Sequence, residues 1–201
     1  MNPAGLASTG SVVDPRVAID APLGRRISVV GAGGKTTLAK ALSAKLGRPF
    51  IELDALHWKP DWVESSAEEL RAKTEAALAA APDGWIADGQ YHGKIGDLVV
   101  RQADTVVWVH MPWRVMFWRV FKRSVQRAKD RQKICGENYE SWRQTFVSPK
   151  SLLWYAIKTR GRYKTRGERL LPMIPAGVPL IDLSTPELLD RFYKEHGLTR
   201  Q

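Results

Sequence analysis

The stretch Val29-Val30-Gly31-Ala32-Gly33-Gly34-Lys35-Thr36-Thr37 constrains the fold more than any other part of the chain. It runs from an apolar strand through a glycine-rich turn into Lys-Thr-Thr and a helix, which is how a phosphate-binding loop is built. Glycines let backbone N–H groups curl around a phosphate and the helix N-terminus supplies a positive dipole end. A lysine in the place of Lys35 reaches the outer phosphates, and a Thr hydroxyl can ligate Mg²⁺. The usual spacing is G-x-x-x-x-G-K-[ST], and Gly31 lies two residues too close to Lys35 to fit it. Either the loop is shortened, with fewer N–H groups to wrap the β-phosphate, or Val29 holds the first-glycine position and the strand ends early. The shortened loop is favoured, because Ile27 to Val30 is needed as strand. Gly31, Gly33, Gly34, Lys35, Thr36 and Thr37 are therefore the candidate phosphate-binding residues, with Thr36 the expected Mg²⁺ ligand because it follows Lys35 directly.

A chain of 201 residues suits one domain with a sizeable core. The single cysteine, Cys135, excludes an internal disulfide and a cysteine zinc cluster and fits a reducing compartment. No apolar run approaches the roughly 18 residues of a spanning helix, and the N-terminus lacks a basic-then-apolar signal pattern. The expectation is a cytoplasmic protein with no membrane partner. Charge is the more telling quantity. The net is +10, but Trp113 to Leu170 holds 16 Lys/Arg against 4 Asp/Glu while the rest holds 15 against 17. One segment thus carries a net +12 and is expected to meet something anionic: phosphates, nucleic acid or an acidic membrane surface.

Met1 to Gly24 is rich in Gly, Ala, Ser and Pro without periodicity and reads as a flexible tail, a pattern that a misplaced start codon would also produce. Residues 25–201 then read as one domain. Ile27 to Val30 is a buried strand, and Thr36 to Leu46 a helix closed by Gly47. Phe50 to Leu53 is a second strand ending at Asp54. Ser65 or Ser66 caps a helix through Ala80, with Glu68 or Glu69 in the capping-box position. Trp85 to Ala87, Thr105 to Val109 and Pro179 to Leu183 complete five strands, and Ser184-Thr185-Pro186-Glu187 opens a last helix. Such alternation predicts an α/β three-layer sandwich around a five-stranded parallel sheet. Residues 113–170, helical by pattern, read as a basic helical lid inserted between the last two strands. Ligands of such sheets gather at the carboxyl ends of strands, where Gly31, Asp54, Asp88 and Ser184 fall.

Asp54 at the second strand end can bind a substrate hydroxyl, accept its proton or hold a metal-bound water; the plainer alternative is a capping aspartate. His57 and Trp58 are weaker candidates for the substrate side. Asp88, ahead of Gly89, either holds Mg²⁺ through water or forms an Asp-Gly turn. Arg119, Arg123 and Arg127 share a helix face, either solvated or aimed at the transferring phosphoryl group. Arg123 is preferred for that role, Arg127 is its alternate, and Arg119 can serve packing. Arg160, Arg162, Lys164 and Arg166 around Tyr163, with Trp142, Trp154 and Tyr155, fit either a nucleic-acid surface or a packed core. His110 and Cys135 have no partners at metal-ligand or dyad spacing and receive no role.

With these residues in view, the chain resembles the P-loop family of DNA topology modulation proteins, relatives of adenylate kinase. The resemblance is carried by Gly34-Lys35-Thr36-Thr37-Leu38-Ala39, by Leu53-Asp54-Ala55-Leu56-His57-Trp58-Lys59-Pro60-Asp61-Trp62, by Trp85-Ile86-Ala87-Asp88-Gly89-Gln90-Tyr91 and by Trp118-Arg119-Val120-Phe121-Lys122-Arg123. It implies five parallel strands with a helical lid, ATP as ligand, and adenine near Ser184 to Pro186. A broader likeness to shikimate and gluconate kinases places an acid such as Asp54 against the substrate. Three positions depart from the family: the glycine loop is short, Gln90 replaces a common Asn, and His110 replaces a common Asp. The leading expectation is an ATP- and Mg²⁺-dependent phosphotransferase acting on a small-molecule or nucleotide acceptor. In it Lys35, Asp54 and Arg123 or Arg127 act on the reacting groups, and Thr36 and Asp88 place the metal. The rival is a nucleotide-gated nucleic-acid-binding protein, whose affinity would fall steeply with salt. A third possibility is a degenerate loop that merely folds, with no nucleotide-dependent change in stability.

Overall fold

The computed structural model describes residues 14–130, 133–134, 138–139, 157–158 and 169–200. The expected strands form a parallel sheet because their residues are apolar on both faces, as burial between two helical layers requires. The strands of the main sheet are β1 (Arg16–Val17), β2 (Arg26–Ala32), β3 (Phe50–Glu52), β6 (Trp85–Asp88), β7 (Thr105–His110) and β10 (Leu180–Leu183). Their spatial order is β1-β10-β7-β2-β6-β3, every pairing parallel, with the loop strand β2 between β6 and β7. Two short antiparallel hairpins lie apart from it, β4 (Trp58–Lys59) with β5 (Val63–Glu64), and β8 (Lys133–Ile134) with β9 (Asn138–Tyr139).

One layer consists of α1 (Lys35–Leu46) and the final helix α7 (Pro186–Glu195). Their Leu38, Leu42, Leu189 and Phe192 pack on Ile27, Val29, Val107 and Ile181. The other layer contains α2 (Leu53–His57), α3 (Ala67–Ala79), α4 (His92–Ile95) and α5 (Leu98–Gln102). Here Leu53, Leu70, Ile95 and Val99 cover Val30, Ile51, Trp85 and Trp108. Ile27, Val29, Leu38, Leu42, Leu53, Leu70 and Phe192 are fully enclosed, each burial contributing about 2 kcal/mol. Local signals set the helix ends. Ser66 caps α3 by accepting from the Glu69 N–H, and the Glu69 carboxylate accepts from the Ser66 N–H, a complete capping box. Thr185 caps α7 by accepting from the Leu188 N–H.

Three differences from the sequence expectation stand out. The sheet has six strands, not five, because part of the expected tail is built in. The Leu180 N–H donates to Pro15 O at 2.8 Å, Arg16 lies 3.3 Å from Asp182, and Ile19 and Leu23 pack against the core. Residues 1–13 of that tail lie outside the described residues. The second strand ends at Glu52, so Asp54 sits in the single turn of α2 rather than on the strand. The basic segment opens as an 18-residue helix, α6 (Trp113–Asp130), but then includes the β8–β9 hairpin. Most of the remainder, with Trp142, Trp154, Tyr155, Arg160, Arg162, Tyr163, Lys164 and Arg166, lies outside the described residues. Among the described residues no helix is long and apolar enough to cross a membrane.

Candidate functional site

Strand β2 runs through Gly31 and Ala32 in register with Val109 and His110, leaving only Gly33-Gly34 between strand and helix. Gly31 has φ 102°, and a Cβ there would fall 2.0 Å from the Val109 carbonyl oxygen, so the residue is glycine for lack of space as well as for its backbone angle. Gly34 has φ 136° and directs the chain into α1. The first intrahelical bond is Leu38 N–H to Gly34 O, at 3.0 Å. The opening turn has no side-chain cap and no acidic residue. The N–H groups of Lys35, Thr36 and Thr37 are thus the free donors that every helix start presents, on the positive end of the helix dipole.

Lys35 turns back across the sheet edge, and its Nζ donates to Asp88 Oδ1 at 2.8 Å. Asp88 ends β6, level with Val29 on one side and Glu52 on the other. It is fully buried, and its second oxygen, Oδ2, has no hydrogen-bond partner. A carboxylate with one oxygen unsatisfied is costly to bury, and this oxygen suits a hydrated divalent cation beside a phosphate chain. Thr36 is half-exposed and Thr37 exposed. No group of three or more His, Cys, Asp or Glu side chains able to hold a metal ion occurs among the described residues.

Asp54 is reached from the other side of β6. Tyr91, three residues past Asp88, donates from its hydroxyl to Asp54 Oδ1 at 2.6 Å. His57, buried at the end of α2, packs against the Tyr91 ring (centroids 4.5 Å apart) and meets the edge of Trp58 at 4.8 Å. Burial, with Lys94 next, pushes the His57 imidazole below its usual range, so it is neutral at pH 7. Glu52 sits between the two halves. Burial, then Asp88 and Asp54, raise its carboxyl above the usual carboxylate range.

The structure brings Gly33, Gly34, Lys35, Thr36 and Asp88 together, with Asp54 on the neighbouring wall. Ser184 lies at the carboxyl end of β10, half-buried. Of the arginines on α6, Arg119 reaches the loop, donating from Nη1 to the Gly33 carbonyl. Arg123 lies one turn further along, exposed, and the side chain of Arg127 lies outside the described residues. Sequence reasoning left Arg119 to packing and passed over Tyr91 and Glu52. Position alone distinguished none of the three arginines, since they share one helix face. The Glu52-x-Asp54 spacing was the available signal for a second carboxylate. His110, given no role, hydrogen-bonds Asp182 and stacks on Trp108 with centroids 3.8 Å apart. Its partner is 72 residues away and invisible to local spacing.

The central loop strand, the parallel order and the glycine turn feeding α1 are together the architecture of the P-loop NTPase fold. Residues 31–85, about a quarter of the chain, match the model of the ATPase family associated with various cellular activities (AAA). No curated protein gives a significant match. Among solved structures the chain is similar to a "putative kinase" from Chloroflexus aurantiacus J-10-fl, at 16% identity and TM-score 0.45, covering 88% of this chain and 100% of that one. It is also similar to a sugar kinase from a Janibacter species, at 20% identity and TM-score 0.46, covering 89% and 97%.

Proposed function

We propose that the protein is an ATP-dependent phosphotransferase. The observation that carries this reading is the joining of two functions at one sheet edge. A glycine turn with free helix N–H groups and Lys35 stands on one side of Asp88, and the Tyr91-held carboxylate of Asp54 on the other. The first half has the chemistry to hold a triphosphate, the second to receive a hydroxyl. The sequence resemblance to small kinases and to the DNA topology modulation proteins supports the same reading.

In this mechanism the loop N–H groups hold the β- and γ-phosphates. Lys35 exchanges Asp88 for phosphate oxygens on binding and neutralises their charge. Thr36 and Asp88 would hold Mg²⁺, which when bound screens the phosphate charge. Asp54 accepts the proton of the acceptor hydroxyl, with Tyr91 fixing its orientation. Arg119 lies nearest the loop, and Arg123 and Arg127 follow it along α6 as further cations for the transferring group. The adenine lies toward Ser184. Lys35→Ala should abolish ADP formation from Mg·ATP, and an unchanged rate in that variant would sink the assignment. A second reading, nucleic-acid binding by residues 113–170, rests on the +12 excess of that segment.

A further inference from the structure

The turn between β2 and α1 is only Gly33-Gly34, with φ 93° and 136°. A peptide between two glycines meets little steric resistance to rotation, because neither neighbour carries a Cβ. Its plane can turn the carbonyl to either side, and in a trans peptide the N–H points the opposite way. A loop that holds phosphate needs this N–H on the phosphate side. A longer loop has further N–H groups to wrap the anion, and this turn does not.

Helix α6 supplies what the turn lacks. It follows β7 directly, and β7 flanks β2 on the side away from β6. A Cβ on Gly33 would fall 2.8 Å from Met111 Cγ and 3.7 Å from Met116 Cβ. A Cβ on Gly34 would fall 3.2 Å from Arg119 Nη1 and 3.4 Å from Leu189 Cδ2 of α7. The half-buried Arg119 guanidinium is thus seated against the turn beside α7, and its Nη1 donates to the Gly33 carbonyl. The Gly34 N–H, antiparallel to that carbonyl, points away from Arg119. Among the described residues no backbone carbonyl accepts from it, so it stays open as a donor next to the first turn of α1. Lys35 takes the opposite flank, reaching Asp88 on β6. The two cations therefore hold different things. Lys35 bonds a side chain that phosphate oxygens can replace, whereas Arg119 bonds the backbone of the turn on the face opposite the Gly34 donor.

We infer that Arg119 is a positioning residue for the phosphate chain: by holding the Gly33 carbonyl it keeps the Gly34 N–H turned toward the bound phosphates. The inference rests on the nucleotide-binding reading above and adds how so short a turn keeps its donors aligned. Arg119 acts through the backbone, not on the base or on the γ-phosphate. Its loss is therefore felt alike by every ligand that carries a phosphate chain. When the bonded orientation falls to roughly one loop in ten, apparent affinity falls about tenfold.

The test is calorimetric titration of the full chain with Mg·ATP, Mg·ADP and Mg·tripolyphosphate, for the wild type, Arg119→Met and Arg119→Lys. Arg119→Met keeps a long side chain and loses the donor, and its affinity for all three ligands should fall about tenfold. Arg119→Lys, whose ammonium can still donate to the carbonyl, should recover most of that loss. The amide resonance of Gly34 in the unliganded protein gives a second readout, which a direct contact with phosphate would not move. It should be sharp in the wild type and exchange-broadened in Arg119→Met, as the peptide plane samples both orientations. An unchanged Gly34 resonance would overturn the inference. So would a loss that spares tripolyphosphate, which places Arg119 on the nucleoside, or one that spares ADP, which places it on the γ-phosphate. Should Arg119→Met fail to fold, Arg119→Gln, with an amide on a shorter stem, takes its place with the same expected losses. Failure of the wild type to bind any of the three ligands would instead overturn the nucleotide-binding reading, so the two failures are distinguishable.

Discussion

The two walls of the cleft are built by different means. The phosphate wall is backbone: Gly31, Gly33, Gly34 and the first turn of α1 are consecutive in sequence, and their geometry follows from positive φ angles and absent side chains. The acceptor wall is made of side chains. Asp54, His57 and Trp58 come from α2 and the start of β4, and Tyr91 arrives from 37 residues beyond Asp54 to hold its carboxylate. Asp88 stands between the walls, bonded to one through Lys35 and level with Glu52 on the other. A backbone site recognises a feature common to every nucleoside triphosphate. A side-chain site can change its ligand by substitution without disturbing the sheet. In the proposed phosphotransferase, generic nucleotide binding and specific acceptance would thereby be separated within one edge.

The strongest way to break this comparison is to disable one wall and read the other. Asp54→Asn should lower ADP release by about a thousandfold while leaving stabilisation by Mg·ATP intact, as measured by thermal unfolding with and without nucleotide. Loss of the nucleotide effect in that variant would mean the walls are not separable.

Gly31→Ala tests the backbone character of the first wall. The added Cβ meets the Val109 carbonyl at 2.0 Å, and denaturant unfolding should show a loss of about 3 kcal/mol. Gly47 also has a positive φ, 62°, in the left-handed helical region, with nothing within 4 Å of a Cβ. Gly47→Ala should cost only about 1 kcal/mol, so the difference reports the close approach together with the less accessible φ of Gly31.

The smallest effect concerns the ground between the walls. Glu52 binds its proton more tightly folded than unfolded, because burial and then Asp88 and Asp54 raise its carboxyl above the ordinary 4.5. Its charge therefore costs stability as pH rises from 4.5 through the folded value. Glu52→Gln should melt about 2 °C higher at pH 7, the gain fading as pH falls to 4.5. A gain independent of pH would point to packing rather than charge.

The glycine turn running into a helix at Lys35 was legible in the sequence, since strand end, glycines and helix start are neighbours in the chain. The parallel sheet was legible for the same reason: apolar runs alternated with capped helices, and the Ser66–Glu69 box is a four-residue signal. The sixth strand was not. Arg16–Val17 has no periodicity of its own and becomes a strand only because β10 offers an edge and Asp182 a charge. Tyr91 and Arg119 were hidden differently. Their residue types suit packing as well as a site, and only the fold brings Tyr91 to Asp54 and Arg119 to Gly33.

The most direct test of the account is thermal unfolding of the wild type and Lys35→Ala, each with and without Mg·ATP. Removing Lys35 leaves Asp88 buried without its partner, which lowers the unliganded stability by about 3 kcal/mol, so the increment due to nucleotide is the quantity to read. At about 100 times the dissociation constant the wild type should gain about 2.7 kcal/mol, a shift of roughly 5–10 °C, and the variant should gain nothing. A wild type that melts at the same temperature with saturating Mg·ATP would contradict the account and leave the shortened loop a structural turn.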